Sequence, residues 1–320
     1  MRAWLSRRCP APEAQYAQTQ KRRKRPKDKR LRGVFVPVIT PFTNQLVDLG
    51  KLAHNLRKLN STSVAGFMPL GSNGEFAHMD DAEQLSVLRA VKENAGGGKV
   101  LMAGIARQSA YCTVEFGKKV QDVGVDFVSV LCPSYFASAM TDGALIRHYA
   151  YIAERLSVPV LLYNCPKFAA NVTISPEVVR VLSSHPNIAG MKDTSSGKIE
   201  KYLEAKVGDF AVIAGSITNF VNGLKAGATG GVLSMANYLP EPCCEVQSLF
   251  EKGWNVEAEI LGDKLAALNQ SSAGKGGVAG VKAACDLFGY QGGEVRLPLS
   301  DCSDEVRAAM RQAFAEAGYL

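Results

Sequence analysis

Val158–Thr194 reads VPVLLYNCPKFAANVTISPEVVRVLSSHPNIAGMKDT. Two apolar runs of strand length, Val158–Tyr163 and Ile188–Met191, flank a segment, Ser175–Ser183, with the 3.6-residue spacing of a helix. The stretch is therefore a strand–helix–strand unit. A polar residue stands where each strand runs out: Tyr163 after the first and Lys192 after the second. In a parallel barrel the carboxyl ends of the strands form the floor of the active site. A lysine there is partly desolvated, which disfavours its ammonium form and leaves an amine able to attack a carbonyl as a Schiff-base nucleophile. Tyr163, on the neighbouring strand end, can carry protons to and from it.

The same alternation extends in both directions. Upstream strand signals are Gly33–Thr40, Gly66–Leu70, Val100–Ala103 and Phe127–Leu131; downstream ones are Ala211–Ala214 and Gly231–Met235. Helical spacing predicts helices over Asp48–Leu59, Asp80–Asn94, Ala110–Asp122 and Asp142–Leu156. Asp80 is placed to cap its helix. The strands are near-continuous apolar runs, as strands covered on both faces should be. Eight such signals separated by helices predict one (β/α)8 TIM barrel over residues 33–238. No GxGxxG follows the first strand, which argues against a doubly wound dinucleotide fold. Helical patterns at Glu241–Lys252, Val256–Asn269, Val278–Leu287 and Asp304–Ala315 predict a C-terminal helical region, 239–320, interrupted by a loop or break at Ala273–Gly280.

With 320 residues, 47% apolar and 21% charged, the chain can bury a large core. No apolar run approaches the ~20 residues of a membrane span. The net charge of +7 is unevenly placed. Residues 1–32 hold 12 Lys/Arg against 2 Asp/Glu, whereas the remainder holds 25 against 28. The globular part is mildly acidic, so overall basicity is no argument that the fold binds nucleic acid. Residues 1–32, with KRRKRPKDKR at 21–30, predict a disordered extension. Three readings of it stay open: an organellar transit peptide, a nuclear or nucleic-acid address, and a solvated extension without a role. Eight scattered cysteines without a CxxC pair read as small core residues in a reducing compartment. His54, His78, His148 and His185 lack ligand spacing, so no metal site is expected.

Tyr163-Asn164-Cys165-Pro166 followed by Gly190-Met191-Lys192-Asp193-Thr194, with Gly71-Ser72-Asn73-Gly74-Glu75 upstream, resembles the YNxP, GxK and GTTGE motifs of the dihydrodipicolinate synthase / N-acetylneuraminate lyase family. The resemblance runs from about Gly33 to about Leu299. It implies a (β/α)8 barrel that condenses pyruvate with an aldehyde, or releases pyruvate from a 4-hydroxy-2-oxo acid, with no metal or organic cofactor. It implies that Lys192 forms the Schiff base and that Tyr163 shuttles protons through Ser72. The backbone at Ser72 and Asn73 would hold the pyruvate carboxylate. Tyr135, in Pro133-Ser134-Tyr135, matches the family's second PYY tyrosine, which enters the neighbouring subunit's site; the active form is then a homodimer or homotetramer. The backbone of Gly215, Ser216 and Gly231 would line the same pocket.

One position departs from the pattern. Where the lysine-pathway synthases have an arginine two residues after the YNxP proline, this chain has Phe168, beside Lys167. An aromatic ring cannot replace a guanidinium as a carboxylate fork. The GSNGE spelling resembles the 4-hydroxy-2-oxoglutarate aldolase branch more than the synthases. The expectation is therefore a pyruvate-dependent aldolase or lyase acting on 4-hydroxy-2-oxoglutarate or a similar acid. Dihydrodipicolinate synthesis and sugar-acid cleavage or dehydration are its rivals, and an inactive barrel binding through its basic tail is a rival of another class. The cytoplasm is the expected compartment, with the mitochondrion as the alternative if residues 1–32 are a transit peptide.

Overall fold

The computed structural model describes residues 28–195, 197 and 199–320. Its eight main strands are β1 (Gly33–Val36), β2 (Gly66–Phe67), β3 (Val100–Gly104), β4 (Phe127–Leu131), β5 (Val160–Asn164), β6 (Ile188–Asp193), β7 (Ala211–Ala214) and β8 (Gly230–Val232). They pair in parallel, each with its neighbour in the chain, and β8 returns to β1 to close a barrel. The fold is the TIM barrel expected from the apolar runs. Closure depends on a missing side chain: a Cβ on Gly230 would lie 2.0 Å from the carbonyl oxygen of Gly33.

The helices between them are α1 (Leu49–Asn60), α2 (Asp81–Asn94), α3 (Ala110–Gln121), α4 (Asp142–Arg155), α5 (Pro176–Leu182), α6 (Glu200–Ala205), α7 (Phe220–Ala226) and α8 (Pro240–Glu251). Side chains supply the N-terminal hydrogen bonds that a helix cannot make for itself. Asp80 forms a reciprocal capping box with Glu83, and Ser109, Thr141 and Ser175 cap α3, α4 and α5. Helices α6 and α7 carried no distinct spacing signal, being only 6 and 7 residues long.

Three expectations need revision. The first strand ends at Val36 rather than Thr40. Pro37 has no N–H for the ladder, and Asn237 takes over the backbone there, accepting from Ile39 N at 3.2 Å and donating to Pro37 O at 3.0 Å. The helix at Glu241–Lys252, assigned by its position to the C-terminal region, packs against α7 and β1 and completes the outer ring as α8. The appendage proper begins with α9 (Asn255–Asn269), followed by α10 (Lys275–Leu287) and α11 (Asp304–Glu316). At Ala273–Gly280 the chain stays largely helical, with the break at Gly277 (φ 55°, ψ −137°). Gly280 is there for close packing: a Cβ on it would sit 2.3 Å from Ser272 O.

Residues 1–27 of the basic extension lie outside the described residues. Asp28–Arg32, also expected to be disordered, fold as a capped turn against the amino end of the barrel. Leu31 is fully buried, and Arg30 lies over the Phe127 ring and bonds Asp126 at 3.1 Å. Arg32 pairs with Glu251 at 3.0 Å. Leu31, Asp126 and Glu251 together hold this turn on the barrel. Among the described residues no helix is long and apolar enough to cross a membrane.

Candidate active site

β5 and β6 are in register so that Tyr163 pairs with Lys192 and Asn164 with Asp193. Both side chains of the first pair point into the barrel mouth. Lys192 is 5% exposed. Its Nζ lies 3.9 Å from Met68 Sδ and 4.3 Å from the centroid of the Tyr163 ring. Burial pushes the Lys192 amine down to about 8; the Cys165 thiol opposes this only weakly. About a tenth of the amine is therefore neutral at pH 7, against almost none for an ordinary lysine.

The Tyr163 hydroxyl meets Ser72 Oγ at 3.3 Å. Burial, followed by the neighbouring Cys165, raises the phenol well above its ordinary range, while the contacts to Ser72 and Thr194 pull it back in part. Tyr163 is thus a neutral hydroxyl that can donate and accept, flanked by a second hydroxyl and an amine.

Ser72 is held by a short turn, Ser72–Gly74, that follows β2. Glu75 closes it in the left-handed region (φ 52°), its N–H donating to Ser72 O at 3.1 Å. Thr40 Oγ1 donates to Gly74 O at 2.8 Å, and Asn73 Nδ2 donates to Ser234 Oγ at 2.8 Å after β8. Three barrel segments therefore converge on the turn that carries Ser72 and Asn73, with the Gly74 and Glu75 amides bonded inside it to Gly71 O and Ser72 O.

A buried polar network stiffens the strand ends from behind. Asn164 Nδ2 donates to Asp193 Oδ1 at 2.7 Å and to Tyr202 Oη at 3.0 Å, and Asn164 Oδ1 accepts from Ile174 N at 2.9 Å. Asp193 also accepts from Ser195 N and Ser195 Oγ. These bonds fix the two residues next to Tyr163 and Lys192, and so steady that pair.

The other sequence candidates divide. Gly215 N donates to Asp193 O at 2.7 Å, and a Cβ there would fall 2.0 Å from Thr194 Oγ1, so glycine is required beside the site. Ser216 caps the following turn, accepting from Asn219 N at 3.4 Å. Gly231 has a packing role, since the space of its missing side chain is filled by the Phe220 ring of α7. Phe168 is 53% exposed in the turn after β5. Tyr135 is 80% exposed, edge-on to Phe136 at 5.0 Å, and is not brought to Lys192 within the chain. Gln108 Oε1 accepts from the N–H groups of Ser134 and Tyr135, both at 2.9 Å, holding that loop outward.

Sequence reasoning missed three neighbours of the pair and one anchor of the Ser72 turn. Met68 and Cys165 supply its apolar wall. Thr194, within the quoted motif, contributes a buried hydroxyl beside the Tyr163 phenol. Glu75, also in a quoted motif, anchors the turn through contacts that its local sequence does not reveal.

Residues 30–317 match the profile of the Dihydrodipicolinate synthetase family. A probable mitochondrial 4-hydroxy-2-oxoglutarate aldolase of Emericella nidulans is 32% identical, over 89% of this chain and 94% of that protein. A 4-hydroxy-tetrahydrodipicolinate synthase of Methanospirillum hungatei is also 32% identical, over 88% and 98%. Among solved structures, dihydrodipicolinate synthase from Thermotoga maritima superposes with a TM-score of 0.85 at 26% identity, covering 91% of this chain and 99% of that one. The Acinetobacter baumannii enzyme, solved with pyruvate, gives the same score and identity over 91% and 100%.

Proposed function

Because this chain belongs to the dihydrodipicolinate synthetase family, whose members are carbon–carbon lyases, we propose that it is a Schiff-base-forming, pyruvate-dependent aldolase acting on a 4-hydroxy-2-oxo acid such as 4-hydroxy-2-oxoglutarate. The observation that carries the reading is the Lys192 amine, buried and depressed to about 8 beside the Tyr163 hydroxyl. Neutral Lys192 adds to the ketone carbon, and the resulting carbinolamine loses water to give an iminium. In the cleavage direction the bond between C3 and C4 breaks as the 4-hydroxyl loses its proton. The electron pair moves into the iminium to give an enamine, and an aldehyde departs. Protonation of the enamine at C3 and hydrolysis release pyruvate and restore the amine. Condensation is the reverse. Tyr163 and Ser72 move the protons, and the backbone of Ser72 and Asn73 holds the 2-oxo acid carboxylate. Lysine is itself the electron sink, so the scheme needs no cofactor.

Phe168 supports this acceptor over aspartate semialdehyde. Phe168, half-exposed in the turn after β5, stands at the motif position where the lysine-pathway synthases carry the arginine that grips a semialdehyde carboxylate. Tyr135, exposed and held outward, suits a role at a partner subunit's site, and we assign the active form as at least a dimer. The cytoplasm is the simplest compartment; the alternative rests on the basic leader and on the fungal relative's name.

The test is pyruvate release from 4-hydroxy-2-oxoglutarate, followed as NADH loss with lactate dehydrogenase. Saturable release that disappears in Lys192→Ala is the expected result. No release, with imine formation intact, transfers the assignment to aspartate semialdehyde or a sugar acid as partner.

A further inference from the structure

Glu75 and Lys282 are 207 positions apart, one in the turn after β2 and the other in α10. Their side chains are 1% and 2% exposed and meet at 2.6 Å. Glu75 Oε2 also accepts from Arg296 N at 3.0 Å and lies 3.2 Å from His78 Nδ1. Lys282 Nζ donates to Glu294 O at 2.5 Å and stands over the Phe42 ring at 4.5 Å. Arg296 forks onto Glu83 with two 2.7 Å contacts, so the Glu294–Leu297 segment is pinned to the start of α2 as well.

An ion pair this deeply buried costs desolvation that its own attraction barely offsets, so it is weak as a source of stability. What it does supply is position. Glu75 has a left-handed backbone, and its N–H holds the Ser72 carbonyl at 3.1 Å. The path from α10 to the reactive centre is therefore short: Lys282, the Glu75 carboxylate, the Glu75 backbone, Ser72, then the Tyr163 hydroxyl at 3.3 Å.

We infer that Glu75 and Lys282 are positioning residues for catalysis, by which the C-terminal helices set the Ser72–Glu75 turn against Tyr163. The inference rests on reading Lys192, Tyr163 and Ser72 as an imine-forming relay. It assigns a catalytic purpose to the appendage, and neither residue touches substrate.

Exchange of the pyruvate methyl protons in D2O, read by proton NMR, tests it, because exchange needs the imine and the relay but no acceptor. The variant is the double Glu75→Gln/Lys282→Met, which removes both charges and leaves no unpaired buried ion. It should melt near the wild type and still form a borohydride-reducible adduct with pyruvate. Exchange should slow about tenfold, and the half-saturating pyruvate concentration should rise, as for a displaced catalytic group. Wild-type exchange and half-saturation in the folded double variant would overturn the inference. Should that variant fail to fold, Glu75→Asp keeps the charge and shortens the arm by one methylene, and unchanged exchange there would overturn it equally. A wild-type protein that neither traps pyruvate nor exchanges its protons would instead remove the imine reading, and this inference with it.

Discussion

Tyr163 and Lys192 are register partners on adjacent strands, and that pairing sets the Lys192 nitrogen 4.3 Å from the centre of the Tyr163 ring. The ring face favours the ammonium form, whereas burial favours the neutral amine. Burial wins, and the amine falls to about 8. A one-residue slip of β6 would turn Lys192 out toward the helices, so barrel register and the burial of this amine are one property.

If Lys192 is the nucleophile, borohydride with pyruvate will add one reduced pyruvate mass to the wild type and none to Lys192→Ala. Peptide mapping should place the adduct on Lys192. A label on another lysine would displace the site.

The depressed amine also predicts how stability varies with pH. Between about 8 and the ordinary lysine value of 10.5, the unfolded chain holds a proton that folded Lys192 has released. Stability from this group therefore rises with pH across that window, and below it the buried ammonium costs on the order of 3 kcal/mol. Lys192→Met should be more stable than the wild type at pH 7 by up to about that amount, with the advantage shrinking toward pH 10. Paired denaturant melts check this; an advantage that stays constant with pH would contradict it.

Tyr163→Phe removes one hydroxyl from the relay and should slow turnover by about 10²-fold, on the usual scale of general acid–base catalysis. Ser72→Ala should cost less, because it deletes only the 3.3 Å partner of that hydroxyl. Steady-state rates measure both. Near-normal turnover in Tyr163→Phe would exclude it as the proton carrier.

Gly215→Ala forces a methyl to within 2.0 Å of Thr194 Oγ1 and 2.6 Å of Asp193 O. Overpacking of this kind costs about 1–3 kcal/mol, and here it displaces the strand end that carries Lys192. Urea melts and kcat should both fall; a fully active, fully stable variant would show that the strand end can yield.

Leu31→Ala should destabilise the barrel by about 2–4 kcal/mol, as expected for a fully buried leucine. A cost near zero would mean that the Asp28–Arg32 turn contributes nothing to the fold.

The barrel was legible because both faces of its sheet are covered, which leaves each strand as an unbroken apolar run. Lys192, Tyr163 and Ser72 could be picked out as candidates because the first two stand at the ends of such runs and Ser72 in the turn that follows one. Less visible were features set by distant partners. Leu31 looked like part of a charged tail until the hollow beneath it was seen. The α8 helix has the same spacing as the helices after it, and only its neighbours assign it to the ring. Nothing local to Glu75 or Lys282 announces a partner 207 positions away. Tyr135 is 80% exposed, and its local sequence does not say what it meets.

The Asp28–Arg32 turn has a practical consequence. It sits where β1 begins and touches Asp126, just ahead of β4, and Glu251, at the end of α8. The reactive pair lies at the other ends of the strands. A fusion partner, affinity handle or surface tether joined directly to Asp28, in place of residues 1–27, would be attached at the pole opposite Lys192 and Tyr163. Held through Asp28, the barrel would keep its Lys192–Tyr163 end open to solution.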